Sequence, residues 1–144
     1  EAFPTTAAAA HFLAHLNAMK PVLTVAENLS FWAQFQGADN DVETALARVG
    51  LQAVAHLPFG YLSTGQRRRA SVARMLVSSR PLWLLDEPTT GMDADSVGQF
   101  SILMKEHLAG GGMILAATHL PLGLDDAAEL RMTASTMDAA EVSA

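Results

Sequence analysis

Residues 62–93 decide how this sequence is interpreted, and they read LSTGQRRRASVARMLVSSRPLWLLDEPTTGMD. The stretch opens with the small-residue turn Ser63-Thr64-Gly65. The turn comes directly before apolar residues at helical spacing, which are Ala70, Ala73, Leu76 and Val77. A hydroxyl and a glycine at a helix start leave free backbone N–H groups and the positive end of the helix dipole facing any ligand. The turn therefore predicts a site for a phosphate group.

A buried strand with two acids at its end is predicted next. Pro81 is expected to end the helix, because proline disfavours helical geometry in the residue before it. The apolar run at residues 82–85 then predicts a parallel strand. Asp86 and Glu87 come at its carboxyl end, before a turn at residues 88–91. Ligands of open α/β sheets bind beyond the carboxyl ends of the strands, so we expect chemistry at these two acids.

These motifs, taken together, resemble the nucleotide-binding subunit of an ABC transporter. The resemblance rests on LSTGQ at residues 62–66, which we call the signature, and on four apolar residues followed by Asp-Glu-Pro at 86–88. A second strand is predicted at residues 113–118, and it leads to His119 in the place of the family's switch histidine. The resemblance implies an α/β fold of the P-loop NTPase (RecA-like) type, a parallel sheet with an inserted helical subdomain.

The signature is expected to act on a neighbouring subunit. The resemblance implies that Ser63, Gly65 and Gln66 contact the γ-phosphate of an ATP held by the other subunit of a head-to-tail dimer. It implies that Asp93 links the two sites across that dimer. The signature precedes the strand and follows a set of short helices, so we expect it to lie at a distance from the chain's own acids. Thr64 stands where the family most often has a smaller residue.

Catalysis is expected at the carboxyl edge of the sheet. In the resemblance, Asp86 holds magnesium through water, Glu87 polarises the attacking water and His119 contacts the γ-phosphate. Phosphoryl transfer depends mostly on positioning and charge stabilisation, which suits these residue types. The cofactors implied are ATP and magnesium.

A phosphate loop is missing from the sequence. The two lysines, Lys20 and Lys105, are followed by proline and glutamate, so no Gly-x-x-x-x-Gly-Lys-Ser/Thr occurs. We therefore expect an incomplete, N-terminally truncated nucleotide-binding domain that is inactive alone. Leu16 stands where the family has the glutamine of its glutamine loop.

The chain before the signature predicts a string of short helices. Thr24 and Glu27 have the spacing of a capping box, which starts a helix that ends near Gly37. Further helices are expected at residues 42–49 and 51–57, and we expect Trp32 and Phe35 to be buried in the core. We divide the chain into 1–80 (end of the first sheet half, helical subdomain and signature helix), 81–132 (C-terminal part of the ATPase core) and 133–144 (flexible tail).

Composition limits the possible partners. The formal charge is −6 and there is no cysteine. The one basic cluster, residues 67–69, is interpreted as a solvated helix face, so we expect no nucleic-acid partner. No apolar run approaches the roughly 18 residues of a membrane span. His11 and His15 are spaced as a metal pair could be, but with no third ligand nearby we interpret them as ordinary histidines.

The function that the resemblance implies is ATP hydrolysis for transport. Residues 19–29 and 116–122 are most like the haem-exporter ATPases of cytochrome c maturation. The expected partners are then a second ATP-binding subunit and integral membrane subunits, at the cytoplasmic face of the inner membrane. Two alternatives stay open: the ATPase of another ABC exporter or a soluble ABC ATPase, and a non-catalytic module that supplies only the signature half of a site.

Overall fold

Three parallel strands form the centre of the computed structural model, which describes residues 3–37 and 40–132. The strands are β1 (Ala10–Leu13), β2 (Leu82–Asp86) and β3 (Met113–Ala117). They lie in the order β1-β2-β3, with Leu84 paired to Phe12 on one side and to Leu115 on the other. All three carboxyl ends therefore meet at one edge of the sheet. The two predicted strands are confirmed, and β1 adds a third.

In the part of the chain that the structure describes, four α-helices connect the strands. They are α1 (Val25–Gln36), α2 (Val42–Arg48) and α3 (Thr64–Leu76) between β1 and β2, and α4 (Ala94–Ala109) between β2 and β3. The predicted capping box is confirmed, because the Thr24 hydroxyl accepts from the Glu27 amide while the Glu27 carboxylate accepts from the Thr24 amide. Where a helix was predicted at residues 51–57, the chain forms only a single 3₁₀ turn, Gln52–Val54.

The signature helix ends earlier than predicted. α3 stops at Leu76 rather than at Pro81. The side chain of Asn40 donates to the Leu76 carbonyl at 2.9 Å, and the Asn40 amide donates to the carbonyl of Val77. A neighbouring loop thus satisfies carbonyls at the helix end, so the helix finishes before proline forces it to.

The core lies between one face of the sheet and the helices. On that face Trp83 and Leu85 are buried, together with Met75 of α3 and Phe100 and Met104 of α4. On the opposite face Phe12 and Leu115 remain 55% and 67% exposed. The sheet is therefore covered mainly on the side where α3 and α4 pack.

The aromatic residues of α1 only partly follow the prediction. Trp32 packs against the core, donates from its ring nitrogen to the Ala18 carbonyl at 2.8 Å and lies under the Arg74 guanidinium. The expectation that Phe35 is buried is wrong, because it is 72% exposed. Phe35 instead stacks on Phe31, with ring centroids 6.1 Å apart on the solvent side of α1.

Two predictions concern the limits of the fold. None of the helices in the described ranges is long and apolar enough to cross a lipid bilayer. The predicted division at residue 80 stays a prediction, and the predicted flexible tail at 133–144 lies outside the described residues.

Candidate functional site

Asp86 and Glu87 lie where β2 ends, at the carboxyl edge of the sheet. Asp86 is the last residue of the strand and is exposed. Glu87 has a φ angle of +43°, in the left-handed region that costs a non-glycine residue about 1–2 kcal/mol. Its amide donates to the Ala117 carbonyl of β3 at 2.8 Å. A conformation of this kind persists only where the surroundings hold it in place.

Glu87 and His119 form a hydrogen-bonded pair. His119 Nδ1 lies 2.9 Å from Glu87 Oε1, and the Thr118 hydroxyl donates to Oε2 at 3.4 Å. The bond from His119 is the main cause that lowers the pKa of Glu87 below its usual value. An ionised carboxylate only accepts hydrogen bonds, so Nδ1 carries a proton and donates to Glu87. The structure thus brings together the two residues that we predicted to be catalytic.

The signature forms the start of α3. The Ser63 hydroxyl accepts from the Gln66 amide at 3.2 Å, and the Gln66 side chain accepts from the Ser63 amide at 2.9 Å. This capping box satisfies two backbone donors of the first turn. The side chains of both residues are therefore engaged with the helix start in this state, and their predicted contact with a phosphate stays a prediction.

Gly65 lies against the turn that follows the acids. A Cβ atom at Gly65 would be 3.1 Å from the carbonyl oxygen of Gly91, and one at Gly91 would be 3.0 Å from a methyl group of Thr64. The signature was expected at a distance from its own acids, yet it packs on the turn only four residues beyond Glu87. Packing within this chain therefore leaves little room for a side chain at position 65, apart from any phosphate.

Asp93 begins helix α4. Its carboxylate accepts from the Ser96 amide at 2.8 Å, and hydrogen bonding to Ser96 is the main cause that lowers its pKa. The Asp93 side chain therefore acts as the N-cap of α4. The predicted role of Asp93 in a dimer contact stays a prediction.

Arg68 is a buried residue at the edge of the site, and the sequence analysis missed its burial. The interpretation of residues 67–69 as a solvated helix face is wrong for Arg68, which is 6% exposed. Its guanidinium donates to backbone carbonyls, and burial lowers its pKa while the charge of Asp86 opposes that shift. Helical spacing could have indicated this burial, because Arg68, Val72 and Met75 occupy positions i, i+4 and i+7 of one helix face. All three residues are buried.

The other two arginines of the cluster also bond to the backbone. Arg67 donates to the Gly60 carbonyl at 2.6 Å, and Arg69 donates to the Val49 carbonyl at 3.0 Å. These bonds fasten α3 to the segments that precede it. The cluster is therefore a structural element of the domain.

The two histidines of the possible metal pair lie in different surroundings. His11 is buried and bonded to the Ser78 carbonyl, whereas His15 is exposed. Within residues 3–37 and 40–132 no group of three or more histidine, cysteine, aspartate or glutamate residues could hold a metal ion. Leu16, at the glutamine-loop position, is 81% exposed.

Fold and site together define a class of protein. A parallel sheet with an acid pair after one strand, a histidine after the next and a signature helix packed beneath them is the core of an ATP-binding cassette with the P-loop NTPase fold. Residues 4–90 match the ABC transporter family. The chain belongs to this family.

Curated relatives show which members of the family this chain resembles. It is 64% identical over 131 residues to the cytochrome c biogenesis ATP-binding export protein CcmA of Mesorhizobium japonicum, covering 90% of this chain and 65% of that protein. It is 60% identical over 121 residues to the protein of the same name from Brucella abortus, covering 83% and 56%. The chain thus spans less than two thirds of the length of these relatives.

Solved structures agree on the fold. One is a dimeric, post-hydrolysis state of an ATP-binding cassette bound to ADP and Pi, with 27% identity and a TM-score of 0.67 over 76% of this chain and 52% of that chain. Another is an ATP-binding subunit of an ABC transporter, with 22% identity and a TM-score of 0.71 over 78% and 49%. The second likeness supports the fold alone.

Proposed function

We propose that this chain is part of an ATP-hydrolysing subunit of an ABC exporter that serves cytochrome c biogenesis, with haem as the cargo. The observation that carries ATP hydrolysis is the Glu87–His119 pair at the carboxyl edge of the sheet. The printed names of the curated relatives support cytochrome c biogenesis and export. The assignment of haem as the cargo rests on the resemblance at residues 19–29 and 116–122.

Glu87 would act on the attacking water. Its lowered pKa keeps the carboxylate ionised at neutral pH, so one of its oxygens can accept a hydrogen bond from water and orient it. Thr118 and His119 fix the direction of the carboxylate through their hydrogen bonds. His119 is 75% exposed in its side chain, so a phosphate could reach its ring. We assign it the contact with the γ-phosphate.

Asp86 would hold magnesium through water. Mg²⁺ in nucleotide sites is bound by one or two carboxylates, several waters and the phosphates, rather than by an all-protein cage. One exposed carboxylate beside Glu87 fits that requirement. When bound, the ion would neutralise charge on the phosphates.

The arrangement also implies partners. The 144 residues contain no phosphate loop, so we propose that the groups that cradle the ATP phosphates lie elsewhere in the complete protein. Ser63, Gly65 and Gln66 would contact ATP held by a second subunit, and Asp93 would join the two sites. Integral membrane subunits would bind this dimer at the cytoplasmic face of the inner membrane.

The proposed activity can be tested in the complete protein with Glu87→Gln. The amide keeps the shape of the side chain but cannot take a proton from water, so we expect ATP binding to remain and hydrolysis to fall by about 100-fold or more. Glu43→Gln is the matched control, because Glu43 is an exposed glutamate in the first turn of α2, away from the sheet edge. Hydrolysis by Glu87→Gln within tenfold of the parent would remove Glu87 from this role.

Measurements on the parent protein separate the alternatives. If the parent protein hydrolyses no ATP, the chain is a module that supplies only the signature half of a site. If it hydrolyses ATP but haem does not alter the rate in the membrane complex while another cargo does, the protein is the ATPase of another exporter. An ATPase that binds no membrane subunit would be the soluble kind.

A further inference from the structure

Arg68 makes four hydrogen bonds to backbone carbonyls, all from one buried guanidinium. Nε donates to Pro88 at 2.9 Å, and Nη2 donates to Asp86 at 3.0 Å and to Glu87 at 2.9 Å. Nη1 donates to Ala14, just after β1. Arginine suits this task because its donors lie in one rigid plane.

These bonds complete the support of Glu87. Its amide is held by the Ala117 carbonyl of β3 and its carboxylate by His119, while its own carbonyl accepts from Arg68 and from the Thr90 amide. The left-handed backbone of Glu87 needs such support on all sides. Arg68 is the part of that support that comes from the signature helix.

We propose that Arg68 is a positioning residue for ATP hydrolysis, one that fixes the turn at residues 86–88 and so aims the Glu87 carboxylate of its own subunit. The proposal rests on the proposed function. It gives each subunit a direct link between the helix start that faces its partner's nucleotide and the acid that acts on its own. Arg68 touches no reacting atom, and it works through the backbone of Glu87.

Neighbouring arginines provide a matched comparison. Arg69 lies on the same helix and also donates to backbone carbonyls, but to Val49 and Gly50 in the helical subdomain. Exchange of Arg69 for lysine therefore removes bonds of the same kind without touching the turn at 86–88. Arg69→Lys is the control for every measurement on Arg68→Lys.

The first measurement is the rate of ATP hydrolysis by the complete protein. Lysine keeps the charge of Arg68 but cannot reach separate carbonyls with a planar fork, so the turn loosens. We expect kcat to fall about 10- to 100-fold, as for small misplacements of a catalytic group, with KM for MgATP within about twofold of the parent. Arg69→Lys should keep the parent kcat. If Arg68→Lys does not fold, Arg68→Gln replaces it, because glutamine keeps two donors without a buried charge. Its kcat should also fall, by a smaller factor, with KM for MgATP again near that of the parent.

Hydrogen–deuterium exchange supplies a readout that needs no activity. In Arg68→Lys, exchange should speed up at residues 85–91 and stay unchanged at the start of α3, where the Ser63–Gln66 capping box holds the amides. In Arg69→Lys the segment 85–91 should exchange as in the parent. Equal exchange of 85–91 in parent and Arg68→Lys would overturn the proposal.

Mixed dimers show whether the defect of Arg68→Lys lies at the Glu87 turn or at the signature. Two differently tagged copies are co-expressed, and dimers that carry both tags are purified. An Arg68→Lys subunit paired with Ser63→Arg should recover activity, because one site then combines an intact Glu87 turn with the signature of the Arg68→Lys chain. Paired with Glu87→Gln, it should stay near the Arg68→Lys level. Recovery with Glu87→Gln would overturn the proposal, and so would failure with Ser63→Arg when Ser63→Arg and Glu87→Gln recover activity together.

A separate pair tests the proposed function itself. Ser63→Arg with Glu87→Gln must recover activity if signatures act across the dimer. If this pair fails together with the Arg68→Lys and Ser63→Arg pair, the dimer arrangement is wrong, and the exchange and kcat measurements still decide the role of Arg68.

Discussion

His119 Nδ1 lies 2.9 Å from Glu87 Oε1, although 32 positions separate the two residues in sequence. Parallel pairing explains the contact, because Asp86 at the end of β2 is aligned with Ala117 at the end of β3. Each of the two residues follows its strand end by one or two positions. The pair is therefore set by sheet topology, and the hydrogen bond from His119 lowers the pKa of the Glu87 carboxylate.

The pair predicts a change in the titration of Glu87 when His119 is removed. In His119→Ala the carboxylate loses the bond that chiefly lowers its pKa, so its pKa should rise toward the usual value. A glutamate with a lowered folded-state pKa stabilises the fold above its unfolded pKa, and the contribution is lost as pH falls through the folded value. Carbon-13 NMR titration of Glu87 in the parent and in His119→Ala checks the direction. An unchanged or lower pKa in the variant would show that His119 does not set it.

Glycines at two helix positions should respond differently to alanine. Gly98 lies within α4, and a Cβ there would meet nothing within 4 Å, so Gly98→Ala should raise the free energy of unfolding by about 0.5–1 kcal/mol. Gly65→Ala should show no such gain, because its Cβ would press on the Gly91 carbonyl. Urea unfolding of both variants measures the difference. An equal gain at both positions would mean that the turn yields freely.

His11 should make the fold sensitive to acid. It is 1% exposed, donates from Nε2 to the Ser78 carbonyl at 2.7 Å, and burial lowers its pKa from 6.5 to about 4. The unfolded chain then binds a proton between these values while the folded chain does not. Stability is therefore full above pH 6.5 and is lost as pH falls toward 4, by about 2 kcal/mol between pH 7 and pH 5.

The check uses His11→Gln, whose amide can still donate to the Ser78 carbonyl but does not titrate. Urea unfolding at pH 7 and pH 5 should show a smaller fall for the variant than for the parent. Parallel losses in the two proteins would place the acid sensitivity elsewhere.

Much of the site could be predicted because it depends on local pattern. Glu87 and His119 each follow an apolar run that forms a strand, and Ser63 comes directly before the helical spacing of α3. The role of Arg68 could not be predicted in the same way. Its four partners are carbonyls on two other segments, and backbone carbonyls are present at every residue, so no residue type in the sequence marks them.

The errors have a related cause. Phe35 was expected in the core because aromatic residues usually are, yet it lies on the side of α1 that no described element covers. α3 ended early because Asn40, in a loop distant along the chain, supplied donors to its last carbonyls. Tertiary contacts decided both outcomes.

These 144 residues in isolation should bind ATP weakly and hydrolyse none at a measurable rate. The chain contains no phosphate loop, so the backbone cradle and lysine that hold the β- and γ-phosphates are absent from it. Isothermal titration with magnesium-ATP on the isolated chain checks this. Affinity in the micromolar range would show that the described edge binds nucleotide unaided.

The central claim is that Glu87 of one subunit and the signature of the other complete a single site. Purified mixed dimers of the complete protein, one subunit with Ser63→Arg and one with Glu87→Gln, test it most directly. One site then carries both defects, while the other has an intact acid from one chain and an intact signature from its partner. These dimers should recover activity that neither homodimer has, up to about half of the parent rate if the two sites act independently. Mixed dimers as inactive as both homodimers would contradict it.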